Sequence, residues 1–254
     1  MDWERKAMEK TMEKMTPQQA WEFVCDQQTQ MKLRCTTCSM NGGRRKMEDA
    51  VYAHYYKESD MGIFIVCDGM GGLYRGDLAS QTVIDVFTKI WQEHHFEWDI
   101  PTLLNEATVQ AKTAIDSLSK YDMGTTLVLA ATHGGKVTIA HLGDSRAYYI
   151  RQREGVIYQT EDHVTIGEEG WPYVSKGFFN FREVEQPTTK TIKAQSGDRI
   201  LLCSDGVYGC YRGKALLDLL NEKMVIESTM SNIVGYCDSY ATDNYSAILI
   251  EFEE

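Results

Sequence analysis

The sequence predicts an α+β domain, on three observations. Two strand-like runs, Thr125–Thr132 and Lys136–Leu142, are joined by Gly134-Gly135, the signature of a β-hairpin. Gly62–Cys67 and Ile200–Cys203 are continuous apolar runs, as expected of buried strands. From Gly76 to Trp91, by contrast, Leu78, Ala79, Val83, Val86, Phe87 and Ile90 recur at helical spacing.

In chain order, residues 2–34 read as helical. Thr16-Pro17-Gln18-Gln19 combines an N-cap residue, a first-turn proline and a glutamine placed for a capping box, and Ala20, Phe23, Val24 and Met31 form a rough apolar stripe. From Cys35 the texture changes to short strands and turns, beginning with Ala50–Tyr55 and Gly62–Cys67. A second helix opens near Pro101 and runs to about Leu118. After the Gly-Gly hairpin, Ala147–Arg151 and Val156–Gln159 suggest another. His163 to Ser196 has weak periodicity and several glycines and prolines, and reads as a long surface excursion. Helices near 213–222 and 226–240 precede a last strand, Tyr245–Phe252. No repeat or low-complexity linker divides the chain, so a helical extension over 1–34 and one domain over 35–254 are expected.

The 254 residues suffice for a sizeable core, and 43% hydrophobic and 25% charged residues are ordinary for a globular protein. A net charge of −11 repels phosphate backbones and anionic lipid, so neither nucleic acid nor membrane is an expected partner. Met1–Lys6 lacks the apolar centre of a signal peptide, and no stretch is long and apolar enough to span a bilayer. The expected compartment is the cytoplasm, with the seven cysteines mostly reduced.

Chemistry is suggested by how the apolar strands end. Gly62–Cys67 runs into Asp68-Gly69, Ile200–Ser204 into Asp205-Gly206, and Val137–Leu142 into Gly143-Asp144. Glu48-Asp49 and Asp243-Asn244 each precede a strand. A strand tip holds an acid in a fixed place, and an adjacent glycine lets a ligand approach the backbone. Each Asp-Gly pair alone is equally a turn. Gathered together, such acids raise one another's pKa, a conflict that hard cations bound through oxygen resolve.

These segments carry a resemblance. Gly43–Ala50 (GRRKMEDA), Val66–Gly72 (VCDGMGG), Met123–Leu127 (MGTTL), His141–Tyr148 (HLGDSRAY), Gly197–Gly206 (GDRILLCSDG) and Thr242-Asp243-Asn244 occur in the order found in metal-dependent protein phosphatases of the type 2C (PPM) family, especially its bacterial branch. The resemblance covers roughly residues 36–252. It implies a four-layer α/β/β/α sandwich of two antiparallel sheets flanked by helices, and metal-dependent hydrolysis of phosphoserine and phosphothreonine in proteins. Two Mg²⁺ or Mn²⁺ ions are implied, with Asp68 bridging them. Glu48 and the carbonyl of Gly69 serve one ion, and Asp205 and Asp243 the other. Asp49 holds metal-bound water, Arg44 (with Arg45 as rival) grips the substrate phosphate, and Asp122 helps Asp205 hold a third ion. Metal-activated water is the implied nucleophile. A phosphorylated protein is the implied substrate and a serine/threonine kinase the implied counterpart. Many eukaryotic members have histidine where Met70 stands, so no general acid is assigned. In the family the segment after Asp162-His163 forms a flap that influences substrate choice. It matches poorly here.

Other readings remain. Cys38 and Arg44 have the spacing of a cysteine-dependent phosphatase, in which a low-pKa thiolate attacks phosphorus. Cys35-Thr36-Thr37-Cys38 has the spacing of half a zinc site. A catalytically inactive phosphatase-like binding module would have lost metal ligands. His94-His95 fall at a helix end, His141 reads as structural, and His163 falls near the cleft. Trp171, Phe178, Phe179 and Phe181 read equally as packing or as a substrate surface.

Overall fold

The computed structural model describes residues 32–253, apart from 96 and 153. The expected helical extension therefore lies outside the described residues, except at its end. There Lys32–Arg34 open a strand, β1 (Lys32–Met40), rather than closing a helix. The reason is tertiary: β1 pairs along its whole length with the final strand, β14 (Tyr245–Glu253), and Leu33 is buried.

Two five-stranded antiparallel sheets form the centre. One contains β2 (Ala50–Tyr56), β3 (Met61–Cys67), β5 (Leu127–His133), β6 (Lys136–Leu142) and β12 (Thr188–Lys193), in the order β12-β6-β5-β3-β2. The other contains β7 (Arg146–Arg151), β8 (Gly155–Gln159) and β13 (Arg199–Cys203), in the order β1-β14-β13-β7-β8. In the β5–β6 hairpin, Gly134 and Gly135 have φ of 56° and 69°, the doubly left-handed turn that glycine adopts without penalty.

The strands read as unbroken apolar runs because both faces are covered. Along β3, Ile63 and Ile65 meet α1 (Gly76–His94) and α2 (Ile100–Leu118), while Phe64 and Val66 point between the sheets toward Tyr149, Ile200, Leu202 and Ile248. The second sheet buries Leu201, Cys203 and Leu249 under α3 (Asp205–Tyr208), α4 (Ala215–Asn221) and α5 (Ile226–Tyr240). This is the expected α/β/β/α sandwich. In α2 the side chain of Asp99 caps the helix by accepting from the Thr102 N–H at 2.8 Å, ahead of Pro101 in the first turn.

The stretch expected to be a surface excursion is partly framework. Thr188–Lys193 is the edge strand β12, and Phe178–Phe179 form a two-residue strand, β11, fully buried against β4 (Gly124–Thr125). The hairpin of β9 (Val164–Ile166) and β10 (Pro172–Val174) is largely exposed, with Trp171 74% exposed. Thr125–Thr132 is likewise split, because the Thr126 N–H donates to the Asp68 carbonyl at 2.9 Å.

Candidate metal centre

The strand-end acids converge at one end of the seam between the sheets, with Asp49, Asp144, Asp205 and Asp243 around Asp68, and Asp122 not among them. Asp68 leaves β3, and Glu48-Asp49 enter β2, in one sheet; Asp205 follows β13, and Asp243 precedes β14, in the other. Asp144 joins them from the β6–β7 connection.

Backbone hydrogen bonds lock each tip. The Asp68 N–H donates to Thr126 Oγ1 at 2.9 Å, and Thr126 Oγ1 meets Ser145 Oγ at 2.7 Å. The Gly69 N–H donates to the Glu48 carbonyl at 3.1 Å, and Ser80 Oγ donates to that same carbonyl at 2.6 Å. Gly69 must be glycine, since a Cβ would stand 2.3 Å from the Gly76 carbonyl oxygen and 2.4 Å from that of Glu48. Asn244 ties the sheets together. It accepts from the Glu48 N–H at 2.9 Å and donates to the carbonyls of Asn41 (2.9 Å) and Lys46 (2.8 Å). Ser204 Oγ donates to Asp49 Oδ2 at 2.8 Å and accepts from the Ser246 N–H at 3.0 Å. Asn244 and Ser204 were not among the expected site residues. Their signal in the sequence is that each adjoins a strand-end acid within a quoted motif, Ser204 in Gly197–Gly206 and Asn244 in Thr242-Asp243-Asn244.

The electrostatics are those of crowded negative charge. Burial first, then Asp49 and Asp205, push the Asp68 carboxyl well above its usual range. Burial lifts Asp49 to about 6, opposed by the hydrogen bonds from Ser204 and Ser246. Asp144 also rises to about 6, through burial and then Asp205. Asp205 rises through burial and the charge of Asp243. One cation answers this cluster directly: Arg44 Nη2 lies 2.6 Å from Asp243 Oδ2. Glu48 and Arg44 share the neighbourhood of Gly71, where a Cβ would stand 2.7 Å from Glu48 Oε2 and 3.3 Å from Arg44 Nη1.

Asp122 is exposed; its carbonyl accepts from the Tyr74 N–H at 2.8 Å, which joins the 119–123 loop to the loop after Gly69. Among the described residues, no three His, Cys, Asp or Glu side chains are drawn close enough to form a finished coordination shell. The donors nonetheless suit a hard divalent cation: all are oxygens, the strand-end acids other than Asp49 are half-buried, and Asp49 Oδ1 is buried with no hydrogen-bond partner.

Cysteine chemistry is disfavoured here. Burial pushes the Cys38 thiol up to about 11, the wrong direction for a thiolate nucleophile, and Arg44 is engaged by Asp243. Cys35 and Cys38 lie three apart on β1, so their side chains leave opposite faces of the strand and cannot share one zinc ion. His141 and His163 stack with centroids 4.5 Å apart, beside Gly143 rather than among the acids. His141 Nε2 meets the Glu161 carbonyl at 2.9 Å, in keeping with a structural role. His94 ends α1.

A double sheet faced by helices, with acids from both sheets meeting at the seam, defines a metal-dependent phosphatase. The chain belongs to the protein phosphatase 2C family, whose profile it matches over residues 44–246. It is 29% identical over 213 residues to the serine/threonine phosphatase stp of Listeria monocytogenes serotype 4b, covering 74% of this chain and 84% of the relative. It is 30% identical over 227 residues to the serine/threonine protein phosphatase PstP of Mycobacterium tuberculosis, covering 82% of this chain and 42% of that one. The solved catalytic domain of PstP in complex with two manganese ions superposes with a TM-score of 0.72 at 27% identity, covering 88% of this chain and all of that one.

Proposed function

We infer that the chain is a metal-dependent protein phosphatase that removes phosphate from phosphoserine and phosphothreonine at the seam between its sheets. The observation that supports this most is the convergence of half-buried, mutually repelling carboxylates from both sheets beside one arginine. Glu48, the Gly69 carbonyl, Asp68, Asp205 and Asp243 are the proposed holders of two Mg²⁺ or Mn²⁺ ions, with Asp122 and Asp205 serving a third. When bound, such ions supply positive charge for the phosphoryl oxygens and acidify water.

The protein's own groups do the rest. Arg44 leaves Asp243 and grips the substrate phosphate, for which its planar fork is suited. Asp49, held by Ser204, orients the attacking water. Asn244 and Ser204 keep the two sheets' acids in register. A phosphoprotein is the substrate, and the serine/threonine kinase that made it the proposed counterpart, in the cytoplasm. No helix among the described residues is long and apolar enough to cross a membrane.

The test is hydrolysis of an aryl phosphate and of a phosphothreonine peptide with and without Mn²⁺. The parent is expected to turn over both only with metal, and Asp68→Asn and Asp205→Asn to lose at least about 10²-fold. Undiminished turnover in excess chelator would overturn the assignment.

A further inference from the structure

Beside the metal centre, a loop runs from Gly71, which faces Glu48 and Arg44, to Tyr74. Its backbone is fixed. The Leu73 N–H donates to the Met70 carbonyl at 2.9 Å and the Tyr74 N–H to the Asp122 carbonyl at 2.8 Å. Arg75 then turns through the left-handed region with φ 51°, rare for a residue with a side chain. The partner loop is fixed as firmly. Asn180 Nδ2 donates to the carbonyls of Ser119 and Tyr121, both at 2.9 Å, and Asn180 Oδ1 accepts from the Met123 N–H at 2.9 Å. Asn180 is itself anchored by the preceding β11 residues, buried against β4.

The two loops present Tyr74 and Tyr121, 48% and 56% exposed, with ring centroids 5.1 Å apart. Their mutual contact buries part of each ring and leaves the rest of both rings to solvent. Rigid exposed aromatics are the usual anchors of polypeptide recognition, because they bury much area at little entropic cost. Lys120 Nζ already lies 5.3 Å from the Tyr121 ring centroid, so the pair offers its remaining face to an apolar side chain rather than to a cation.

We propose that Tyr74 and Tyr121 form the subsite for the polypeptide flanking the phosphorylated residue, with preference for an apolar neighbour, and that Asn180 is its positioning residue. The proposal rests on the phosphatase reading above and explains how a cleft that needs only a phosphate monoester selects a protein substrate.

The test compares p-nitrophenyl phosphate with a fluorescent phosphothreonine peptide carrying leucine beside the phosphorylated residue. Both tyrosines are exposed, so their replacement opens no cavity. In Tyr74→Ala/Tyr121→Ala, KM and Kd for the peptide are expected to rise about threefold to tenfold, the size of a lost aromatic contact, with kcat unchanged. Turnover of p-nitrophenyl phosphate, too small to reach the pair, stays at the parent level. Tyr74→Phe/Tyr121→Phe retains peptide affinity, and Asn180→Ala raises peptide KM and Kd. Unchanged peptide KM and Kd in the double alanine variant would overturn the subsite, as would an equal loss on both substrates. If the parent hydrolyses neither substrate, the phosphatase reading fails, while anisotropy of the labelled peptide still decides the subsite.

Discussion

Asn244 spends its whole side chain on backbone groups: the Glu48 N–H and the carbonyls of Asn41 and Lys46. Asn244→Ala strands all three, and a loss of about 2–3 kcal/mol is expected in denaturant unfolding, together with weaker metal-dependent activity as Glu48 is released. Gly206 is as tightly placed, since a Cβ there would fall 1.9 Å from the Asn244 carbonyl oxygen. Neither role is visible in the sequence, because the partners of Asn244 are main-chain atoms about two hundred positions away. The acids were visible because a strand tip is a local pattern. His163 carries a pH prediction. Burial first, then His141, holds it down at about 4, against about 6.5 when unfolded. Its Nδ1 accepts from the Gly143 N–H at 3.2 Å, and that bond is lost on protonation. Lys176 opposes protonation further, while Glu185 and Asp162 favour it. The unfolded chain therefore takes the proton first. The stabilisation is complete above pH 6.5 and declines as pH falls toward 4. Asp49 and Asp144 titrate with opposite sign in that window, so the measurement is the difference between the parent and His163→Gln, which should shrink toward acid pH.

At the scale of elements, legibility followed burial. β3, β13 and the two long helices were recognisable because each buries a continuous or helically spaced apolar set. β12 was not, because its residues Thr-Thr-Lys-Thr-Ile-Lys form a largely exposed edge laddered to β6, with Ile192 alone turned toward the core. β11 is only two residues long, too short for any periodicity, although Phe178 packs edge-on to Phe87 with centroids 6.0 Å apart. Replacing Phe178 by Ala removes a side chain with no exposed surface, and a loss of about 3–5 kcal/mol is expected. Because β11 supports Asn180, the same variant should raise the KM for a phosphopeptide. A melting curve unchanged by the substitution would refute the core placement.

For the whole molecule, the family's order of motifs, rather than composition, made the sandwich foreseeable; the net charge of −11 alone says no more than good solubility. Part of that charge is concentrated where the layers meet, so cation binding should stabilise the entire fold. With Mn²⁺ at roughly a hundred times its dissociation constant, the gain is about 2.7 kcal/mol, or about 5 to 10 °C in Tm for a chain of this size. Asp68→Asn should show little of this rise, and scanning calorimetry distinguishes the two.

The cross-sheet placement of the acids has a mechanical consequence. Glu48 and Asp68 belong to one slab and Asp205 and Asp243 to the other, with Asn244 and Ser204 as their protein-made fasteners. A bound cation is then a rivet through both slabs. Withdrawing it with a chelator should speed hydrogen–deuterium exchange at the facing ends of β3 and β13 while leaving the far ends, under the helices, as slow as before.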